Sequence, residues 1–222
     1  DEVRTFRSVA ARGSYLGQDR MDLQFAAKEV CRNMSKPTKK GLKKMKRMTR
    51  CLIVVPRVVW RFREEKGERP KKDVVNVYSD SDWAGCTRTR RSTSGGVLMR
   101  GAHVLKTWST TQAIVALSSA EAELLSLVRG SSEGLAVASL FRDLGEDCQI
   151  RVGVDSSAAI GICRRTGVGK VRDLDPRLLW VQEFVLDGTI EVLKVAGVSN
   201  PADLMTKHVG AEQISEHLAR LE

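Results

Sequence analysis

The order of patterns after residue 72 constrains this fold more than any other feature of the chain. Residues 73–80, 95–99 and 104–109 are β-rich runs joined by turns of Gly, Arg, Ser and Thr, a spacing that predicts an antiparallel meander. Ser118 and Ser119 then offer an N-cap for a long helix reaching about Leu144 and ended by Gly145. A short apolar strand over 150–154 runs into a helix over 156–162. A further helix over 178–186, a strand over 189–195, a loop over 196–200 and helices from Pro201 complete the pattern. Strand, strand, strand, helix, strand, helix is an α/β order.

What precedes it is different. Residues 15–30 have helical spacing, Ser35-Lys36-Pro37-Thr38 makes a turn and a new start, and residues 39–53 form a second helix. There Leu42, Met45, Met48 and Leu52 make one face, while Lys39, Lys40, Lys43, Lys44, Lys46, Arg47 and Arg50 occupy most of the rest. Residues 54–60 are β-branched and read as a short strand or edge segment, since Pro56 would remove a ladder hydrogen bond from a central strand. The charged stretch 63–72, with Gly67 and Pro70, reads as a boundary. The expected division is thus a basic segment over 1–72, a larger domain over 73–209 and a helical tail over 210–222.

The chain has 222 residues, enough for a domain of about 150 residues and an appendage. Its formal net charge is +10, but residues 1–72 hold roughly +13 and the remainder is near −3. The basic part should therefore meet a polyanion. The five cysteines are an odd number with no CxxC pair, which argues against a disulfide framework or a zinc knuckle and predicts a reducing, intracellular home. No run of about 18 apolar residues exists, and Asp1-Glu2-Val3 is neither a signal peptide nor an initiator methionine. A soluble fragment of something longer, with no membrane partner, is expected.

Four carboxylates stand at strand ends or helix starts: Asp80, Glu123, Asp155 and Asp203. One Asp at a strand end is usually a turn former or helix cap. Several converging from different elements must bind a cation or repel one another. Asp80 and Asp82 are two apart and share a strand face, so spacing does not choose between them. Glu121 and Glu123 are about 200° apart around a helix, so both cannot enter one site.

Five blocks in order carry a resemblance: Tyr78-Ser79-Asp80-Ser81-Asp82-Trp83-Ala84-Gly85, Arg91-Ser92-Thr93-Ser94-Gly95, Ala116-Leu117-Ser118-Ser119-Ala120-Glu121-Ala122-Glu123, Val154-Asp155-Ser156 and Ala202-Asp203-Leu204-Met205-Thr206-Lys207. Over 73–209 the chain resembles the ribonuclease H domain of copia-type retrotransposon polyproteins. The resemblance implies a ribonuclease H-like five-stranded mixed sheet flanked by helices, here preceded by a small, mainly helical basic segment. It also implies a catalytic and metal-binding set of Asp80, Glu123, Asp155 and Asp203. Its register favours Asp80 over Asp82, and Glu123 over a Glu121 left at the rim. Hard oxygen donors suit two Mg²⁺ or Mn²⁺ ions, which about 4 Å apart can activate water and hold a scissile phosphate without a protein nucleophile.

The implied activity is hydrolysis of the RNA strand of an RNA/DNA hybrid, leaving 5′ phosphate and 3′ hydroxyl ends, within a cytoplasmic retrotransposon particle. Substrate choice would rest on 2′-OH groups and phosphates, with Arg88, Arg90, Arg91, Thr111, Gln112 and Ser118 as contact candidates. The N-terminal third resembles, more loosely, the end of a copia-type reverse transcriptase, through Tyr15-Leu16, Arg20-x-Asp22, Phe25-Ala26 and Met34-Ser35-x-Pro37-Thr38. Lys40, Lys43, Lys44 and Arg47 would then track hybrid phosphates as a thumb or connection element, with the rest of the polyprotein as partner. No Tyr-x-Asp-Asp motif is present, so polymerisation is not expected. Trp83 and Trp108 are expected in or near the core. Two departures stand out: residues 197–200 lack the helper histidine that some ribonucleases H place before the last Asp, and Asp173 stands where relatives tend to have His. The rival reading is a catalytically inactive, retroelement-derived nucleic-acid-binding or structural subunit.

Overall fold

The computed structural model describes residues 2–60, 62, 73–169 and 174–219. The expected boundary over 63–72 and the departure at Asp173 lie outside the described residues. Three strands, β1 (Asp73–Asp82), β2 (Thr93–Arg100) and β3 (His103–Thr111), form the predicted meander. Gly101, at φ +56°, supplies the left-handed residue that the tight β2–β3 turn needs. Later strands β4 (Cys148–Val154) and β5 (Ile190–Lys194) run parallel to β1, giving one mixed sheet of order β3-β2-β1-β4-β5.

Alternation along the strands serves two cores. Val75, Val77 and Leu98 face one side of the sheet, while Tyr78, Val97 and Met99 face the other. β2 is consequently buried on both faces. The main core lies under the crossover helix α4 (Ser119–Asp143) and under α5 (Ser157–Cys163) and α6 (Trp180–Leu186), the last preceded by a 3₁₀ turn over Pro176–Leu178. α4 meets the sheet closely: a Cβ on Gly134 would come within 2.9 Å of Ile150 Cγ2. By length and composition α4 could cross a bilayer, but Ala122, Leu124, Leu127 and Ala138 are buried within the fold.

The opposite face is covered from both ends of the chain. α1 (Glu2–Leu16), α2 (Met21–Cys31) and α3 (Lys39–Val54) share a small core around Phe6, Leu23, Val30 and Met48. From α2, Met21 leaves that core to pack with Val97, Met99, Leu204 and Met205. The last two belong to α7 (Asp203–Thr206), and Ile214 and Leu218 of α8 (Ala211–Ala219) join them. Polar contacts fix the same seam: Lys28 Nζ donates to Thr93 Oγ1 at 2.7 Å, and Gln24 Nε2 to the Thr107 carbonyl at 3.2 Å.

Three expectations need correction. The helix expected over 15–30 is two helices, because Gly17 to Arg20 turn the chain and the Arg20 guanidinium is spent on Asp22. Residues 55–60 form no strand: the Val55 and Pro56 carbonyls accept from Arg20 instead of from a neighbouring strand. Trp83 is 49% exposed rather than in the core, its indole donating to the Ala116 carbonyl; Trp108, 4% exposed, is the core aromatic.

Candidate active site

The carboxylates are positioned by elements that the sheet holds in register. Asp80 lies opposite Gly95 in the β1–β2 ladder and is 3% exposed. Gly95 has to be small, because a Cβ there would stand 2.5 Å from Met205 Cβ. α7 therefore sits directly on the strand pair. Ser126 of α4 donates to the Asp80 carbonyl at 2.6 Å, which ties the helix to the strand one turn below Glu123. Asp155 follows the last residue of β4, just before the Ser156 cap of α5.

Carboxylate oxygens of Asp80, Glu123 and Asp155 lie within 4.8 Å of one another. Asp203 is not in that set. Its Oδ2 pairs with Lys207 Nζ at 2.9 Å, although its charge still reaches Asp80. Burial pushes the Glu123 carboxyl up to about 8, and the Asp80 charge pushes the same way against the Ser81 hydroxyl, which donates to Glu123 Oε1 at 2.8 Å. Asp80 is likewise raised by burial and by the charges of Asp203 and Asp155, against a hydrogen bond from Thr206. Glu123 Oε2 is buried without a hydrogen-bond partner among the described residues. Three converging carboxylates, one with a buried oxygen unpaired among the described residues, form a donor set that suits a cation.

Asp82 shares Asp80's face but stands half-buried at the site's edge, where it feels Lys28, Lys207 and His208. Glu121 is not at the rim. It is 6% exposed and accepts from the Leu117 amide at 2.7 Å, while Ser118 accepts from the Glu121 amide at 3.1 Å. This reciprocal cap was legible as Ser-x-x-Glu before an apolar run. Two supporting residues were missed. Thr206 Oγ1 donates to Asp80 Oδ2. Asn200, fully buried, donates to the Ser79 carbonyl at 3.0 Å and accepts from the Ala202 amide at 3.1 Å, stapling the loop before Asp203 to β1. The Asn-Pro pair signals a turn, but nothing in sequence shows what that turn holds.

The contact candidates separate. Arg88, Arg90 and Arg91 are exposed in the β1–β2 turn, and Thr111 is half-buried at the end of β3. Gln112 is buried, its amide donating to Ser94 Oγ and to the Ala122 carbonyl, both at 2.9 Å, so it joins β2 to α4 rather than facing a ligand. The Ser118 hydroxyl is taken by the helix cap. Lys40, Lys44, Arg88, Lys207 and His208 line one cleft of about 610 Å³ between α3 and the β1–β2 turn. Lys43 and Arg47 line a neighbouring one of about 480 Å³, floored by Leu23, Phe25 and Leu204. Lys44 is ion-paired with Glu29 at 2.6 Å. Burial alone would raise Glu29, but Lys44 and Lys28 outweigh it and hold the carboxyl at about 2.

No protein-family model matches the chain. It is 28% identical over 212 residues to the retrovirus-related Pol polyprotein from transposon RE1 of Arabidopsis thaliana, covering 91% of this chain and 14% of that one. It is 30% identical over 138 residues to the corresponding polyprotein from transposon TNT 1-94 of Nicotiana tabacum, covering 61% and 10%. The chain thus spans only 10% to 14% of these polyproteins. Among solved structures, the RNase H1 of Halobacterium salinarum is similar with 21% identity and a TM-score of 0.44, covering 60% of this chain and 93% of that one.

Proposed function

We propose that this chain, whose homologues are the retrovirus-related Pol polyproteins of plant transposons, is a metal-dependent endonuclease acting on the RNA strand of RNA/DNA hybrids, as part of such a polyprotein in an intracellular particle. The observation that carries this reading is the convergence of Asp80, Glu123 and Asp155, with Glu123 Oε2 unpartnered among the described residues. Bound there, Mg²⁺ or Mn²⁺ would supply Lewis acidity toward a phosphodiester and make a bound water easier to deprotonate. The donor set fits these hard cations, being all carboxylate with no Cys or His in the cluster.

The residues divide the remaining work. Asp80, Glu123 and Asp155 hold cations, and two ions require Asp203 as well. Thr206 fixes Asp80 in one rotamer, which limits the reorganisation needed as charge develops on the phosphate. Lys40 and Arg88 line a cleft that also holds Asp82 and Lys207, where they would meet phosphates of the bound hybrid. No side chain need act as nucleophile.

The test is incubation of the full chain with an end-labelled RNA/DNA hybrid in Mg²⁺, in Mn²⁺ and in chelator, beside duplex DNA and single-stranded RNA. Cleavage confined to the hybrid and to divalent cation is expected. Hybrid binding without cleavage under every condition would leave a nucleic-acid-binding subunit in its place.

A further inference from the structure

The cleft of about 480 Å³ lies at the seam where α2 and α3 meet α7 and α8, and among the described residues its lining includes none of Asp80, Glu123, Asp155 and Asp203. Its volume is that of a small-molecule pocket, and such pockets form preferentially where two folded units meet. The floor is apolar, made by the buried side chains of Leu23, Phe25, Met48 and Leu204. The rim is cationic. Asp22 is matched by Arg20, Glu29 by Lys44 and Lys28, and Lys207 by Asp203. Lys40, Lys43 and Arg47 are exposed and have no carboxylate partner among the described residues. Their field reaches the wall: His208, edge-on to Phe25 with ring centroids 4.8 Å apart, is pushed down by burial and by Lys44 and Arg47, against Glu29. A neutral hydrocarbon would leave these charges unanswered, and a bare inorganic anion would leave the floor in water.

We propose that this cleft binds a small amphipathic anion, a carboxylate with an apolar tail of medium length, the tail lying on Leu23, Phe25, Met48 and Leu204 and the head meeting Lys43 and Arg47. The tail removes apolar surface from water, and the head supplies the charge that the rim lacks. Neither part depends on the metal-dependent reading. Leu204 stands between Asp203 and Thr206 on α7, while Leu23 and Met48 belong to α2 and α3. A bound tail therefore clamps the N-terminal helices to α7, and the ligand stabilises the fold by binding across that seam.

The experiment is calorimetric titration of the full chain with dodecanoate below its micellar concentration, in buffer free of divalent cations, with thermal melting alongside. One dodecanoate per chain and a raised melting temperature are expected. Affinity should rise by about three- to fourfold per added methylene from octanoate through decanoate to dodecanoate. Butyrate, which lacks the tail, and dodecyltrimethylammonium, which reverses the charge, should not bind. Lys43→Glu with Arg47→Glu, both exposed positions, should weaken dodecanoate by on the order of tenfold or more and admit the cationic amphiphile. Ala26→Leu, which narrows the cleft without changing its charge, should weaken dodecanoate in a protein that still melts cooperatively. No heat with dodecanoate overturns the proposal. So does an affinity independent of tail length, or equal binding by wild type and both variants, since either describes adsorption on a basic surface. A ligand-free chain that sediments as a dimer, and as a monomer once Lys43→Glu and Arg47→Glu are introduced, would assign the cleft to a second copy and overturn it as well.

Discussion

Glu121 and Glu123 sit two residues apart on one helix and do opposite things for stability. Glu121 caps α4, and glutamine there still offers the Leu117 amide an acceptor oxygen, so Glu121→Gln should cost only about 0.3–1 kcal/mol in urea unfolding, for the lost charge at the helix N-terminus, while hybrid cleavage persists. Glu123 is held among like charges with one oxygen unpaired, so Glu123→Gln should abolish cleavage without loss of stability in the metal-free protein. Cleavage by Glu123→Gln, or its loss in Glu121→Gln alone, would reverse the assignment. The same geometry sets a pH dependence. Glu123 is raised from 4.5 to about 8, so the folded state binds its proton more tightly than the unfolded chain does. That contribution to stability is complete below about 4.5 and is lost as pH rises through about 8. The melting temperature of the metal-free protein should therefore fall across this window, and Mg²⁺ should stabilise it increasingly toward the alkaline end. Glu123→Gln should flatten both trends; a wild-type melting temperature indifferent to pH and to millimolar Mg²⁺ would remove the strained cluster from the account. Sequence spacing left Asp80 against Asp82 open, since the face they share is equally available to both. Only the depth of β1 beneath α7 and α4 separates a carboxylate that is 3% exposed from one at the edge.

At the scale of elements, the catalytic spacing depends on how closely α4 approaches the sheet. Gly134 lies along the helix from Glu123, and a Cβ there meets Ile150 Cγ2 at 2.9 Å and Val77 Cγ2 at 3.2 Å. Neither methyl can swing away as a long flexible side chain would. Gly134→Val should therefore destabilise the fold by about 1–3 kcal/mol through overpacking, despite removing a helical glycine worth about 1 kcal/mol. Because the helix is also pinned at Asp80 by Ser126, its displacement should lower kcat in a protein that still folds. Thermal melting together with cleavage at saturating hybrid checks both parts, and an unchanged kcat would mean that α4 yields locally. The meander and the crossover were readable because turn residues and period-2 runs mark strands wherever they later pair. The break between α1 and α2 was not, since Gln18, Asp19 and Arg20 are ordinary helix-surface residues until Arg20 binds Asp22 and the carbonyls beyond α3. The non-strand over 55–60 has the same cause: β-branched composition describes a segment that fits a sheet, and no sheet edge reaches it.

Over the whole molecule, charge asymmetry pointed to a basic unit and an enzyme-like unit, and it carried no information about their contact. The contact buries Met21 against Val97, Met99, Leu204 and Met205, on the same face that positions Asp203 and Thr206. Removing residues 1–72 to test the basic helix would thus strip a core, and any loss of hybrid affinity would mix electrostatics with unfolding. Surface neutralisation avoids this. Lys40, Lys43 and Arg47 are exposed and line the two clefts, whereas Lys44 is held by Glu29 and Lys28 by Thr93. A full-length Lys40→Gln, Lys43→Gln, Arg47→Gln variant should keep the wild-type melting temperature. If each of the three cations meets a phosphate, the slope of log affinity against log salt should flatten by roughly two to three units, at about 0.7 to 0.9 per contact. Cleavage at saturating hybrid should be nearly unchanged, because none of the three touches the carboxylate cluster. Equal slopes for variant and wild type would show that α3 turns its charges to solvent, and hybrid affinity would then have to come from Arg88, Arg90 and Arg91 in the β1–β2 turn.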